Sequence, residues 1–362
     1  KRQISACGGR QGQPAFAGMT IIIGGEMVKI GIIGCGNMGK THSLCYKAMP
    51  DEAKIVALYD VEPEKSKALA EMTGGKAYAD LDEMLKSKDL DAVDVTTPTY
   101  LHKEGVLKAA KAGKHVFSEK PFALSLEEAK EMLAATQKAK VKLMVGMCLR
   151  FWPEYTAFKK IVDSGKHGKL TSLTCTRLSR PVLGWQEWFT DPKKSGGAIY
   201  DLHIHDTDFV CYLLGKPKSV YTAGKKTKNG WVHVYTTYEY PDTVVNAEGG
   251  WDLAHSFIFT HAFRGVFEDG TVVAHDLKTT PLTIFTKDKT EPLPVDKIDI
   301  KVEAGAGNIV SVSGHYNEVK YWVNCLKNDK TPAEVSPESI MLSLGVLFKE
   351  IESVETGKKV QL

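Results

Sequence analysis

A chain of 362 residues has room for about two domains, and 43% hydrophobic with 25% charged residues is the composition of a globular protein with a sizeable core. The net charge of +3, with both signs interspersed, offers no clustered basic face for nucleic acid. No apolar run approaches the roughly 20 residues of a membrane-spanning helix.

In chain order, residues 1–26 are Gly-rich and aperiodic, and read as an N-terminal extension outside the fold. From Val28 onward, apolar runs at Val28–Ile33, Lys54–Tyr59, Ala92–Val95, His115–Ser118 and Leu143–Met147 predict strands. Between them Met38–Met49, Glu62–Met72, Leu81–Lys88, Leu101–Ala112 and Leu126–Ala139 carry apolar residues at helical spacing. Such alternation predicts right-handed crossovers and a doubly wound parallel sheet, an α/β architecture. Ser125 with Glu128 fits a capping box, and Gly113 fits a helix stop. Beyond Phe151 the pattern changes. A helix over Glu154–Ser164 is followed by period-two segments at Leu170–Ser179, Trp231–Tyr240, Thr243–Trp251 and Ser256–Phe267, which predict a largely antiparallel sheet. Helices are predicted over Ile199–Leu214, Tyr316–Lys327 and Ser336–Thr356. The division is therefore residues 27–149 and 150–362. Seven scattered cysteines, Cys7, Cys35, Cys45, Cys148, Cys175, Cys211 and Cys325, have no CxxC spacing, so a reducing cytoplasm is expected rather than disulfides or a zinc knuckle.

The strongest local signal is Gly34-Cys35-Gly36-Asn37-Met38-Gly39, directly after the first strand. Gly34 suits the tight turn, Gly36 the close approach of a pyrophosphate, and Gly39 the packing of helix on strand. Asp60 ends the next strand, where a carboxylate meets the adenosine ribose hydroxyls; Val61 and Glu62 follow, with no Arg for a 2′-phosphate, so NAD is favoured over NADP. The segment Thr96-Thr97-Pro98-Thr99-Tyr100-Leu101-His102 forms a loop at the end of Ala92–Val95; taken alone, His102 reads as a structural hydrogen-bonding group. Glu119-Lys120-Pro121 ends His115–Ser118. Alone, Lys120 reads as a solvated loop lysine; beside an oxidised nicotinamide its pKa would fall. In a helix from Ile199, Asp201 and His205 stand at i and i+4 on one face while His203 points away. That geometry disfavours a metal site on all three and favours a carboxylate beside a general base.

Together these residues resemble the Gfo/Idh/MocA family of glucose–fructose oxidoreductase and inositol 2-dehydrogenase. The marks are GIIGCGNMG (Gly31–Gly39), TTPTYLH (Thr96–His102), SEKPFA (Ser118–Ala123) and GGAIYDLHIHDTDF (Gly196–Phe209), with likeness from about Met27 to Leu362. The resemblance implies an N-terminal Rossmann domain binding NAD, and a C-terminal α+β domain on an open sheet that binds substrate and forms a homodimer or homotetramer. By position it implies that Lys120, Asp201 and His205 are catalytic, His205 as acid/base, and that Gly34, Gly36, Asn37, Met38, Gly39, Asp60, Thr97, Pro98, His102, Glu119 and Lys120 hold the cofactor. Arg150 and Trp152, in a segment like the family's crossover, and Trp185, in a loop, are candidates for a sugar, inositol or other polyol; no metal, nucleic acid or membrane is implied. Members also act on dihydrodiols, biliverdin-like pigments or ring C3 of glycosides, and one relative is a non-catalytic sensor. The retention of Lys120, Asp201 and His205 together argues for an enzyme.

Overall fold

The structure, a computed structural model, describes residues 26–295 and 312–362. The expected N-terminal extension therefore lies, except for Glu26, outside the described residues.

The first half runs β1 (Val28–Ile33), α1 (Asn37–Lys47), β2 (Ala53–Tyr59), α2 (Pro63–Thr73), β3 (Lys76–Tyr78), α3 (Leu81–Leu85), β4 (Ala92–Val95), α4 (His102–Lys111), β5 (His115–Ser118), α5 (Leu126–Ala139) and β6 (Leu143–Val145). Its six strands are all parallel, in the order β3-β2-β1-β4-β5-β6. β4 and β5 are buried along their whole length, as expected of strands covered by helices on both faces. β3 escapes sequence reading because three residues at a sheet edge carry no usable period. After β3 the chain crosses to the far side of β1, so the strand order reverses between β1 and β4. Ligands bind at such a switch point, outside the carboxyl ends of the strands.

The second half comprises α6 (Pro153–Ser164), β7 (Leu170–Leu178), α7 (Pro192–Ser195), α8 (Ala198–Asp201), α9 (Ile204–Leu214), β8 (Ser219–Thr227), β9 (Gly230–Glu239), β10 (Val244–Gly250), β11 (Thr260–Phe267), β12 (Val272–Asp276), β13 (Thr280–Phe285), β14 (Thr290–Pro292), α10 (Ser313–Lys327), α11 (Pro337–Thr356) and β15 (Val360–Gln361). Nine strands form one sheet, ordered β14-β13-β12-β11-β7-β10-β9-β8-β15 and antiparallel except where β7 meets β10. One face buries Leu173, Cys175, Val220, Val245 and Phe263 against Phe158, Phe209 and Val346 of the helices. The other leaves Tyr221, Tyr235 and Val244 exposed; this alternation made β7, β9, β10 and β11 legible, whereas β8 is not among the predicted strands.

Two differences from the predicted elements bear on the site. The helix expected over Ile199–Leu214 breaks at Leu202–His203 into α8 and α9. α10, although late in the chain, packs against α1, and its Trp322 is fully buried near Phe117 of β5.

Candidate active site

A cleft of about 660 Å³ opens between the carboxyl ends of the parallel strands and the second sheet. The glycine turn forms one end, and each glycine does a separate job. Gly34 has φ +97°, and a Cβ there would lie 2.7 Å from the Thr97 amide. A Cβ on Gly39 would lie 2.2 Å from the Gly34 carbonyl, so helix and strand pack through it. Gly36 has nothing within 4 Å of its would-be Cβ, so its backbone borders open space. No side chain caps α1 at Gly36, and Gly36, Asn37 and Met38 line the cleft. Uncapped N–H groups at a helix start form an anion site. This arrangement fits a dinucleotide pyrophosphate.

Asp60 lies at the same end. Its Oδ2 accepts from the Cys35 amide at 2.7 Å and its Oδ1 from the Glu62 amide at 2.8 Å, fixing the carboxylate beside the turn. Trp185 reaches this end from the second half. Its indole Nε1 donates to Glu62 Oε1 at 2.7 Å, and the Lys65 ammonium lies 5.3 Å from its ring centroid. Trp185, a candidate for the substrate, lines the cleft at the end that holds Asp60.

Thr97 and Pro98 line the cleft, whereas His102 is buried behind them. Its ring nitrogens lie 2.9 Å from the carbonyls of Thr97 and Pro121, and burial lowers its pKa. His102 therefore ties two cleft loops together and does not itself line the cleft. Glu119 is buried at the back of the cleft, and its Oε2 accepts from the Lys120 amide at 2.9 Å.

At the other end three groups converge. Lys120 precedes a cis peptide to Pro121, and its Nζ donates to the Asp201 carbonyl at 2.9 Å and to Asp201 Oδ1 at 3.1 Å. His205 lines the same cleft with Cys148 Sγ 3.7 Å from its Nδ1. Burial, followed by the positive charges of Lys120 and Arg177, holds the His205 pKa well below the usual imidazole value, so the ring is neutral at neutral pH. The expected pairing is thus altered. The carboxylate of Asp201 is engaged by Lys120, and His205 has a thiol beside it. His203 turns away into the core, 3.2 Å from Thr236 Oγ1, and Gly249 leaves room for its ring.

Arg150 is not at the cleft. Its guanidinium is buried in a two-pronged pair with Asp208, at 2.9 and 2.6 Å, and donates to the Glu334 carbonyl and Ser339 Oγ. The expectation that it touches cofactor or substrate fails because Asp208 captures it. Trp152 does line the cleft, packed edge-on to His261 at 4.8 Å and close over Gly314. Trp188, a candidate beside Trp185, lines the cleft, whereas sequence reading missed the cleft residues Arg177, Arg180, Phe189 and His315. It also missed His42 and Asp94, which lie behind Glu119. A signal existed for Asp94, a carboxylate inside the apolar strand AVDV.

Comparison with known proteins agrees with this layout. Residues 28–147 match the family model described as "Oxidoreductase family, NAD-binding Rossmann fold", and residues 155–273 match the "GFO/IDH/MocA C-terminal domain". The chain is 37% identical over 205 residues to 2,7-anhydro-N-acetylneuraminate hydratase of Escherichia coli, covering 55% of this chain and 53% of that one. It is 35% identical over 196 residues to inositol 2-dehydrogenase of Rhizobium meliloti, covering 53% and 57%. In these matches the chain spans about half the length of the curated relatives. A crystal structure of a putative myo-inositol dehydrogenase from Sinorhizobium meliloti superposes with a TM-score of 0.77 at 24% identity, over 92% of this chain and 99% of that one, a likeness of fold.

Proposed function

The chain belongs to the Gfo/Idh/MocA oxidoreductase family, and on that premise we propose that it is an NAD-dependent oxidoreductase acting on a secondary alcohol or ketone of a sugar, inositol or related polyol. The observation that carries the reading is the meeting of Lys120 and Asp201, from opposite halves of the chain, in the cleft that His205 and the Gly34–Gly39 turn also border.

The nicotinamide, when bound, supplies the hydride acceptor or donor. The rest falls to side chains. Neutral His205 takes the hydroxyl proton as the alcohol is oxidised and returns it in the reverse direction. Lys120 donates to the same oxygen and stabilises its developing negative charge, and Asp201 aims the ammonium by holding it from two oxygens. Gly36, Asn37 and Met38 would receive the pyrophosphate and Asp60 the adenosine ribose, with Thr97, Pro98 and Glu119 along the remaining length. Asp60 and Glu62 together disfavour a 2′-phosphate through like charge, which supports NAD over NADP.

Further parts of the reading rest on smaller observations. We place the domain boundary near residue 149, where the chain leaves β6 and, through α6, enters the second sheet. The exposed side chains of Tyr221, Tyr235 and Val244 on one face of the second sheet support a homodimer or homotetramer. The six described cysteines are buried and unpaired, which supports a reducing cytoplasm. Among the described residues, no helix is long and apolar enough to cross a membrane. The test is a panel of inositols, sugars and their ketones with NAD and NADP, followed by NADH absorbance. Alcohol-dependent reduction of NAD is expected. If no alcohol reduces NAD and no ketone oxidises NADH, the reading fails.

A further inference from the structure

Behind Lys120 lies a buried polar cluster that the hydride transfer above leaves unused. His42, on the inner face of α1, is fully buried. Its Nδ1 lies 3.0 Å from Asp94 Oδ2 and its Nε2 3.0 Å from Glu119 Oε1, the second an ion-pair contact that is not a well-aligned hydrogen bond. The Tyr46 hydroxyl donates to both Asp94 oxygens, at 2.9 and 3.0 Å. From α10, His315 and Glu318 close the cluster, both buried.

A neutral imidazole has one N–H to donate, yet this ring faces a carboxylate on each side. An imidazolium donates toward both ionised carboxylates, whereas a neutral ring requires one of the two carboxyls to hold the proton instead. Burial alone would discharge His42, but Asp94 and then Glu119 outweigh it and push its pKa up to about 10. Burial likewise works against the Glu119 carboxylate, and His42 reverses the balance and lowers its pKa. Burial pushes His315 down to about 4 and Glu318 well above the usual carboxyl value, while the Lys120 ammonium adds to the effect of His42 in lowering the Glu119 pKa. Glu119 thus presents an anion at the cleft wall.

We propose that His42 is a positioning residue that keeps Glu119 ionised beside Lys120, so that the cleft binds the cationic, oxidised nicotinamide more tightly relative to the neutral, reduced one. The inference rests on the dinucleotide reading given above. Without the imidazolium, a buried Glu119 takes up a proton to avoid an uncompensated charge. The discrimination between the two redox forms then declines.

The experiment is calorimetric titration of NAD⁺ and NADH onto the full chain and onto His42→Gln and Glu119→Gln, with no substrate present. The ratio Kd(NAD⁺)/Kd(NADH) is expected to rise about tenfold in both variants, which corresponds to ~1.4 kcal/mol. A purely structural role for His42 would weaken both ligands equally. An unchanged ratio in folded His42→Gln overturns the proposal. Because that variant removes a buried cation, a second measurement uses the parent protein, in which ¹⁵N NMR of labelled histidines is expected to show both His42 nitrogens protonated at neutral pH. A singly protonated ring overturns the proposal. So does one equivalent of metal ion bound by His42, Glu119 and His315, whose donor atoms lie within 4.8 Å of one another. If the parent protein binds neither dinucleotide, the parent reading falls and takes this one with it. Binding of both forms with an unchanged ratio removes this inference alone.

Discussion

Lys120 and Asp201 stand 81 positions apart in sequence, yet the lysine ammonium donates to two oxygens of that one residue, its carbonyl at 2.9 Å and its carboxylate at 3.1 Å. Two anchors fix direction as well as distance, which is what a donor aimed at a developing oxyanion requires. Replacing Lys120 with Met removes the donor and keeps the volume. Turnover should fall by about 10²–10³, while NADH titration still reports binding. Turnover within a factor of two of the parent would reject the assigned role. Asp201→Asn retains an acceptor but weakens the grip, so kcat should fall while KM for the alcohol stays nearly constant.

In the proposed reaction His205 sets the pH behaviour. Its pKa is depressed, so the neutral form needed to accept a proton persists below pH 6.5. Alcohol oxidation should therefore show no acid limb assignable to a histidine of ordinary pKa, and ketone reduction should not peak near pH 6.5. His205→Asn should cost about 10²–10⁴ in rate. An acid limb centred on pH 6.5 that disappears in His205→Asn would contradict the depressed pKa.

Trp185 separates cofactor from substrate effects. Because its indole is bonded to Glu62 and lies beside Lys65, Trp185→Ala should raise KM for NAD several-fold and leave KM for the alcohol nearly unchanged. The opposite pattern in steady-state kinetics would return this residue to the substrate end.

Arg150 is expected to matter for stability. Arg150→Ala leaves Asp208 buried without its cation, and breaking a buried pair in this way costs about 3–5 kcal/mol. Urea denaturation should show the loss, while activity per folded molecule stays near that of the parent. A catalytic defect without destabilisation would contradict this assignment.

A separate pH dependence follows from His203. Burial lowers its pKa to about 3 in the folded protein, against about 6.5 unfolded. Between those values the unfolded chain binds a proton that the folded one does not, so this contribution to stability is intact above pH 6.5 and is lost as pH falls toward 3. The slope of unfolding free energy against pH between 5 and 6.5 should be shallower in His203→Gln. Equal slopes would exclude the linkage.

The alternation of apolar strands and amphipathic helices, the glycine turn, Asp60 and the Lys120 loop could all be read along the chain, because each is a local requirement met by neighbouring residues. That His203 points away from Asp201 and His205 was legible as well, since helical spacing sets it apart even across the break at Leu202–His203. Tertiary structure alone decided the partners. Whether Asp201 meets His205 or Lys120, whether Arg150 finds a ligand or Asp208, and which end of the cleft Trp185 reaches depend on segments tens to nearly two hundred residues apart. A long charged or aromatic side chain has several chemically equivalent partners available, and sequence spacing carries no information about which one the packed sheets bring within 3 Å. The same holds for His42. Its position three residues past Gly39 places it on α1, but only the approach of β4 and β5 surrounds it with two carboxylates and sets its charge.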